Sequence, residues 1–150
     1  MSFIVPNQGE VQLLKDVLGS GGTAGVITLE AWTLKLFKVD KTPAEGDSAA
    51  DYTVCDFGGY VDKTLTRDTQ AGHWSVPASV APTDGWASDG SVAEATYAAQ
   101  SWTATTSQTV YGYIIVGATS GVLIHAVKFT TAITVGVGVP ISVTPRFGAA

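Results

Sequence analysis

The sequence predicts a mainly β fold, a β-sandwich (jelly-roll-like) with one short N-terminal α-helix. Three observations lead there. Residues 108–147 read as short runs of Val, Ile, Thr and Tyr broken by glycine and proline, the punctuation of consecutive strands and turns. The segment Trp32-Thr-Leu-Lys-Leu36 alternates apolar with polar residues, the period of a strand with one buried face. Helical spacing of apolar residues stands out only near the N-terminus. The 150 residues suffice for one domain, burying roughly two-thirds of its unfolded surface. The expected organisation is an arm and helix over 1–22, then a single β-sandwich domain over 23–150.

The helix is expected to start at Asn7, whose side chain can cap it while Glu10 returns the bond, as in a capping box. Val11, Leu14 and Leu18 make its apolar stripe, with Leu13 and Val17 beside them, and Gly19 stops it. That stripe needs a surface, either the chain's own sheet, which is the expectation, or a neighbouring subunit. Ser20-Gly21-Gly22 is a flexible connector.

Beyond the connector the reading is almost wholly β. A strand is expected within 26–39, then an exposed loop over 41–51, and a short strand over 52–55 leading to a Phe57-Gly-Gly-Tyr60 corner. Further strands are expected at 64–67 and 74–76, with a surface loop at 82–90. In 93–105 the apolar parity changes between Ala95, Tyr97, Ala99 and Trp102, Ala104, which implies a bulge near Gln100. Strands at 110–116 and 121–129 follow. Gly112, between two tyrosines, marks a close approach of a neighbour. Ile133-Thr-Val135 and Ile141-Ser-Val-Thr144 are expected to form a hairpin around Gly-Val-Gly-Val-Pro.

Composition narrows the function. Charged residues are 14% of the chain, against about 25% in an ordinary domain. Such a surface suits burial against neighbouring subunits, although a Thr-rich composition also follows simply from many strands. The net charge is −5, Arg67 and Arg146 are the two arginines, and the lysines do not cluster. Neutralising several phosphates takes a basic stripe, so no nucleic acid partner is expected, nor electrostatic attraction to a membrane. No apolar run approaches the ~20 residues of a membrane span. The start of the chain lacks the basic and apolar regions of a signal peptide, so synthesis and folding are expected in a cytoplasm. With Cys55 as the single cysteine, no intramolecular disulfide forms.

Candidate chemistry is sparse. His73 and His125 are far apart in sequence, with no Cys, Asp or Glu at ligand spacing beside them, so His125 reads as core or interface and His73 as surface. Cys55 is followed by Asp56, which discourages a thiolate, and reads as a small strand residue. Asp84 and Asp89 flank Trp86 but lack the alternating ligands and closing glutamate of a calcium loop, and Asp47 and Asp51 are weaker still. Trp74 and Trp86, both in expected loops, are candidates for a sugar-stacking platform, against the commoner use of such rings in a core. No catalytic residue, cofactor or metal ligand is expected. The chain reads as a non-enzyme.

Several segments together resemble a known group: Val5-Pro-Asn-Gln-Gly-Glu10 with the Leu-Leu helix, Leu34-Lys-Leu-Phe37, Tyr52-Thr-Val54, Phe57-Gly-Gly-Tyr60, Tyr111-Gly-Tyr-Ile114, Phe129 and Ser142-Val-Thr-Pro-Arg-Phe147. In texture and order these resemble small virion structural proteins of tailed bacteriophages, of the capsid decoration (cement) type. The resemblance implies a homo-oligomer, a trimer favoured, whose partner is the major capsid protein and whose place is the capsid surface of a virion assembled in the host cytoplasm. It carries over no catalytic residue. Contacts are expected from residues 1–8, above all Phe3, Ile4, Val5 and Pro6, and from the loops 41–51 and 82–90, with Trp86. The alternatives are a tail or tail-fibre component, and a carbohydrate-binding β-sandwich module using Trp74 and Trp86.

Overall fold

A computed structural model describes residues 2–4, 6, 9, 30–80 and 92–149. The described chain is mainly β, with strands β1 (Ser2–Ile4), β2 (Trp32–Phe37), β3 (Lys63–Leu65), β4 (Ala78–Val80), β5 (Val92–Thr96), β6 (Gln100–Thr103), β7 (Gln108–Gly117), β8 (Leu123–Val135), β9 (Pro140–Val143) and β10 (Arg146–Ala149). They pair antiparallel in a five-stranded sheet, β1-β8-β7-β2-β3, a three-stranded sheet, β10-β5-β4, and a two-stranded sheet, β6-β9. Apart from Gly9, the helix expected over 7–18 lies outside the described residues, as does the loop over 82–90. No helix among the described residues is long and apolar enough to cross a membrane.

The large sheet is covered on both faces, which explains why its inner strands read as continuous apolar runs. On one face Trp32, Leu34, Leu36, Tyr113, Ile115, Ile124 and Val127 join a core with Leu65, Ala95 of β5, Trp102, Val135, Ile141 and Val143, so all three sheets share it. On the other face Phe37, Ile114, Val116, Leu123 and Ala126 pack with Tyr52 from the loop after β2. The alternation in β2 is as expected: Trp32, Leu34 and Leu36 are buried while Thr33 and Lys35 are half-buried.

Several boundaries differ from the sequence reading. Residues 123–135 form one strand rather than two, because Tyr111 alone on β7 lies opposite residues 129–132 of β8, an enlarged bulge that bends the strand without ending it. The Gly-Val-Gly-Val-Pro segment is a tight turn, with Val139 N donating to Gly136 O (3.1 Å). Its exit strand β9 pairs with β6, so the turn hands the chain to another sheet and is not a hairpin. The parity change near Gln100 is likewise a sheet switch: β5 belongs to the three-stranded sheet and β6 to the two-stranded one. Residues 52–55 and 74–76 contribute only the isolated bridges Val54↔Phe37 and Trp74↔Tyr97. The loop 41–51 is not wholly exposed. Asp47 is 7% exposed, where it accepts from Tyr52 Oη (2.7 Å) and Ala44 N (2.9 Å) and pairs with Lys41 Nζ (2.9 Å).

The Phe57-Gly-Gly-Tyr60 corner is present and locks the second sheet onto the first. Gly59 has φ +87°, and a Cβ there would stand 2.5 Å from Thr103 O. Thr105 N donates to Gly58 O (2.7 Å), Leu36 N donates to Tyr60 Oη (2.9 Å), and Trp102 Nε1 donates to Val61 O (2.6 Å). Trp102→Phe keeps an aromatic ring and deletes this last bond, and should lower unfolding free energy by about 1–2 kcal/mol. A urea midpoint unchanged from the parent would refute that role.

Candidate functional site

After β3 the chain folds into a loop over 66–77 that borders two clefts. Asp68 Oδ1 accepts from Gln70 N (3.1 Å), the turn an aspartate makes with the backbone two residues on. Gly72 takes φ +87°, and His73 N and Trp74 N close the loop onto Gln70 O (3.0 Å) and Asp68 O (3.2 Å). The returning segment is tied to the end of β5. Ser75 N donates to Thr96 O (2.7 Å), Thr96 N to Ser75 Oγ (3.0 Å), and Ala98 N to His73 O (3.3 Å).

This closure brings Asp68 and His73 together, with His73 Nδ1 hydrogen-bonded to Asp68 Oδ1. The imidazole also stacks on Tyr97, centroids 5.8 Å apart and 15° between planes. The His73 bond, then the Gln70 amide, hold the Asp68 carboxyl below the usual range. With Asp68 ionised, the bond between them takes a proton on His73 Nδ1, so Nε2 is the ring nitrogen left to meet another group.

Beside this pair lies an aromatic cluster. Trp74 stands at 84° to Trp32, 75° to Tyr97 and 72° to Phe147 of β10, with centroids 5.7, 5.2 and 6.5 Å away. Its Nε1 is buried with no hydrogen-bond acceptor among the described residues. The surroundings are rings, which meet an N–H only weakly. The Arg67 guanidinium lies 4.5 Å over the Trp32 ring, a cation–π contact. Two adjoining clefts result. One, of about 200 Å³, is walled by Trp32, Trp74, Pro77, Ala95 and Phe147 together with Arg67, Thr69 and Ser75. The other, of about 400 Å³, shares Thr69, Trp74 and Ser75 and adds Gln70, His73 and Thr96.

The residues singled out from sequence fall elsewhere. Phe3 and Ile4 do not precede regular structure. They lie in β1, opposite Val127 and Ala126 of β8, so the arm's backbone pairs with its own sheet. Pro6 is buried, and Gly9 lies so near β8 that a Cβ there would meet Ile124 O at 2.5 Å. Val5, Trp86, Asp84 and Asp89 lie outside the described residues. Trp74 is 8% exposed, part of the core instead of an open platform. Cys55 is buried, and burial pushes its thiol up to about 12, as an inert core residue requires. His125 is fully buried against Phe147, centroids 5.4 Å apart. Asp51 is held by Ser48, whose N and Oγ both donate to its Oδ2 at 2.8 Å. Among the described residues no group of three or more His, Cys, Asp or Glu is placed to hold a metal ion.

The Asp68–His73 pair corrects the view that His73 has no carboxylate beside it. The signal was present in Asp68-Thr-Gln-Ala-Gly-His73: an aspartate that starts a turn and a glycine that closes it return the chain to the aspartate. The stacking of Arg67 on Trp32, from different strands' ends, had no such signal.

No protein-family model matches this sequence, and no curated protein matches it.

Proposed function

We propose that this chain is a non-enzymatic virion structural protein of a tailed phage, a β-sandwich of jelly-roll type that decorates and cements the capsid lattice as a homo-oligomer. The observation that carries the reading is the charge distribution. Between Ala95 and Pro145 the one charged side chain is Lys128, and it is paired with Asp40 at 2.5 Å. The bulge and turn at the end of β8 add an exposed apolar tip, with Ile133 39%, Val137 67% and Val139 57% exposed. Exposed Thr130, Thr131 and Thr134 stand around it. An uncharged apolar centre with a hydroxyl rim is the make-up of a surface that docks on protein. A clamp repeated over many lattice points needs only a modest contact at each.

This surface moves the expected contact from the arm, whose Phe3 and Ile4 backbone is already paired with β8, towards the β8–β9 turn. The major capsid protein is the proposed partner and the capsid surface the proposed location. Purified particles should contain this protein near one copy per capsid subunit. A handful of copies per particle would transfer it to the tail, and absence from particles would refute the virion reading.

A further inference from the structure

We infer that the paired clefts along the 66–77 loop bind a neutral, polyhydroxylated ring, a sugar residue of a glycan. This goes beyond the decoration role and does not depend on it. A pyranose has an apolar C–H face and a rim of hydroxyls, so its site needs an apolar wall beside prearranged hydrogen-bonding groups.

Both parts are here and adjoin. Half-buried Phe147 and exposed Pro77 wall the smaller cleft, with buried Trp32 under the Arg67 guanidinium beside them. In the larger one His73 is held in place twice, by Asp68 at Nδ1 and by the Tyr97 ring beneath it. Nε2 is therefore an oriented polar group for a ligand hydroxyl, which can give or accept the hydrogen bond. Thr69, which touches both clefts, and Gln70 supply further polar groups from exposed positions. Together the clefts fall within the roughly 300–1,000 Å³ of small-ligand sites.

Charge selects against the main alternative, an anionic ligand. The cation at the site, Arg67, lies over Trp32, and the ionised Asp68 is next to it in sequence. A carboxylate entering here meets a carboxylate. A neutral ring meets the Gln70 amide, hydroxyls and apolar walls without burying an unpaired charge of its own.

The test is titration of the intact protein with neutral saccharides at millimolar concentration, namely methyl glucosides, mannose and galactose oligomers and N-acetylglucosamine oligomers, followed by tryptophan fluorescence and amide NMR shifts. Benzoate serves as the anionic control. At least one neutral saccharide should give a saturable response with shifts centred on Thr69, Gln70 and His73. His73→Ala should weaken it by about tenfold, the worth of one good hydrogen bond. Thr69→Ala, at an exposed position, repeats the test should His73→Ala fail to fold. The proposal is overturned by no saturable response, by shifts elsewhere, by unaltered affinity in the folded variants, or by benzoate binding as well as the saccharides. Since particle stoichiometry tests the decoration role separately, failure of one reading leaves the other standing.

Discussion

Gly112→Ala is expected to prevent the large sheet from closing. Gly112 lies in β7, paired with Phe37 of β2 and with Lys128 of β8. A Cβ there would stand 2.0 Å from Val127 O and 2.6 Å from Phe37 Cζ. The carbonyl belongs to the backbone of the central β7–β8 pair, so relief requires parting the two strands that organise both cores. The ring of Phe37 is fully buried and has no room to retreat. Loss of more than about 4 kcal/mol follows, enough to unfold a domain of ordinary stability. Gly136→Ala is the matched control, because its Cβ would meet Val139 Cγ2 at an ordinary 3.5 Å. Soluble yield and thermal melts should show Gly112→Ala largely unfolded and Gly136→Ala close to the parent. A Gly112→Ala protein melting within a few degrees of the parent would show that β7 and β8 can separate at little cost.

The second large effect is loss of stability in mild acid, centred on His125. Its ring is fully buried in β8, and burial pushes its pKa from 6.5 down to about 3. The folded protein therefore holds the imidazole neutral where the unfolded chain would protonate it. Below pH 6.5 the unfolded state binds the extra proton, so stability falls by about 1.4 kcal/mol per pH unit until the folded-state pKa is reached. Over the whole interval this is on the order of 5 kcal/mol. Carboxylates act later. Asp68, held down by His73 and Gln70, and Asp47, where burial opposes but the bonds from Tyr52, Lys41 and Ala44 win, lose their contributions only as pH falls through and below 3.8. Denaturant unfolding between pH 6.5 and 4.5 thus separates His125 from these two carboxylates. His125→Leu should flatten the curve in that window. An equally steep curve in the variant would assign the acid sensitivity to other groups.

What was legible in the sequence was whatever a short window dictates. The alternation of Trp32, Leu34 and Leu36 orients β2 because successive side chains must point to opposite faces. The Phe57-Gly-Gly-Tyr60 corner and the close approach at Gly112 were readable because glycine signals a backbone that no side chain permits. His125 was read as a core or interface residue and is fully buried, whereas Cys55, read as a small strand residue, is buried outside any strand. For the site, the sequence marked Trp74 as an aromatic in a loop with the core as the commoner use of such a ring, and the ring is buried.

Tertiary structure alone decided which strand meets which. Gly-Val-Gly-Val-Pro has every local mark of a hairpin, yet β9 leaves it to pair with β6, because Trp102 and Ile141 then face the shared core. The same holds for Phe3 and Ile4, which read as an arm in search of a surface until β8 supplied an edge. The Asp68–His73 pair, the Tyr97 ring beneath it and the Trp32, Trp74 and Phe147 walls come from segments far apart in the chain. Local sequence determines conformation and burial through sterics and periodicity. Pairing partners and clefts depend on which distant apolar faces exclude water together, a choice no single window contains.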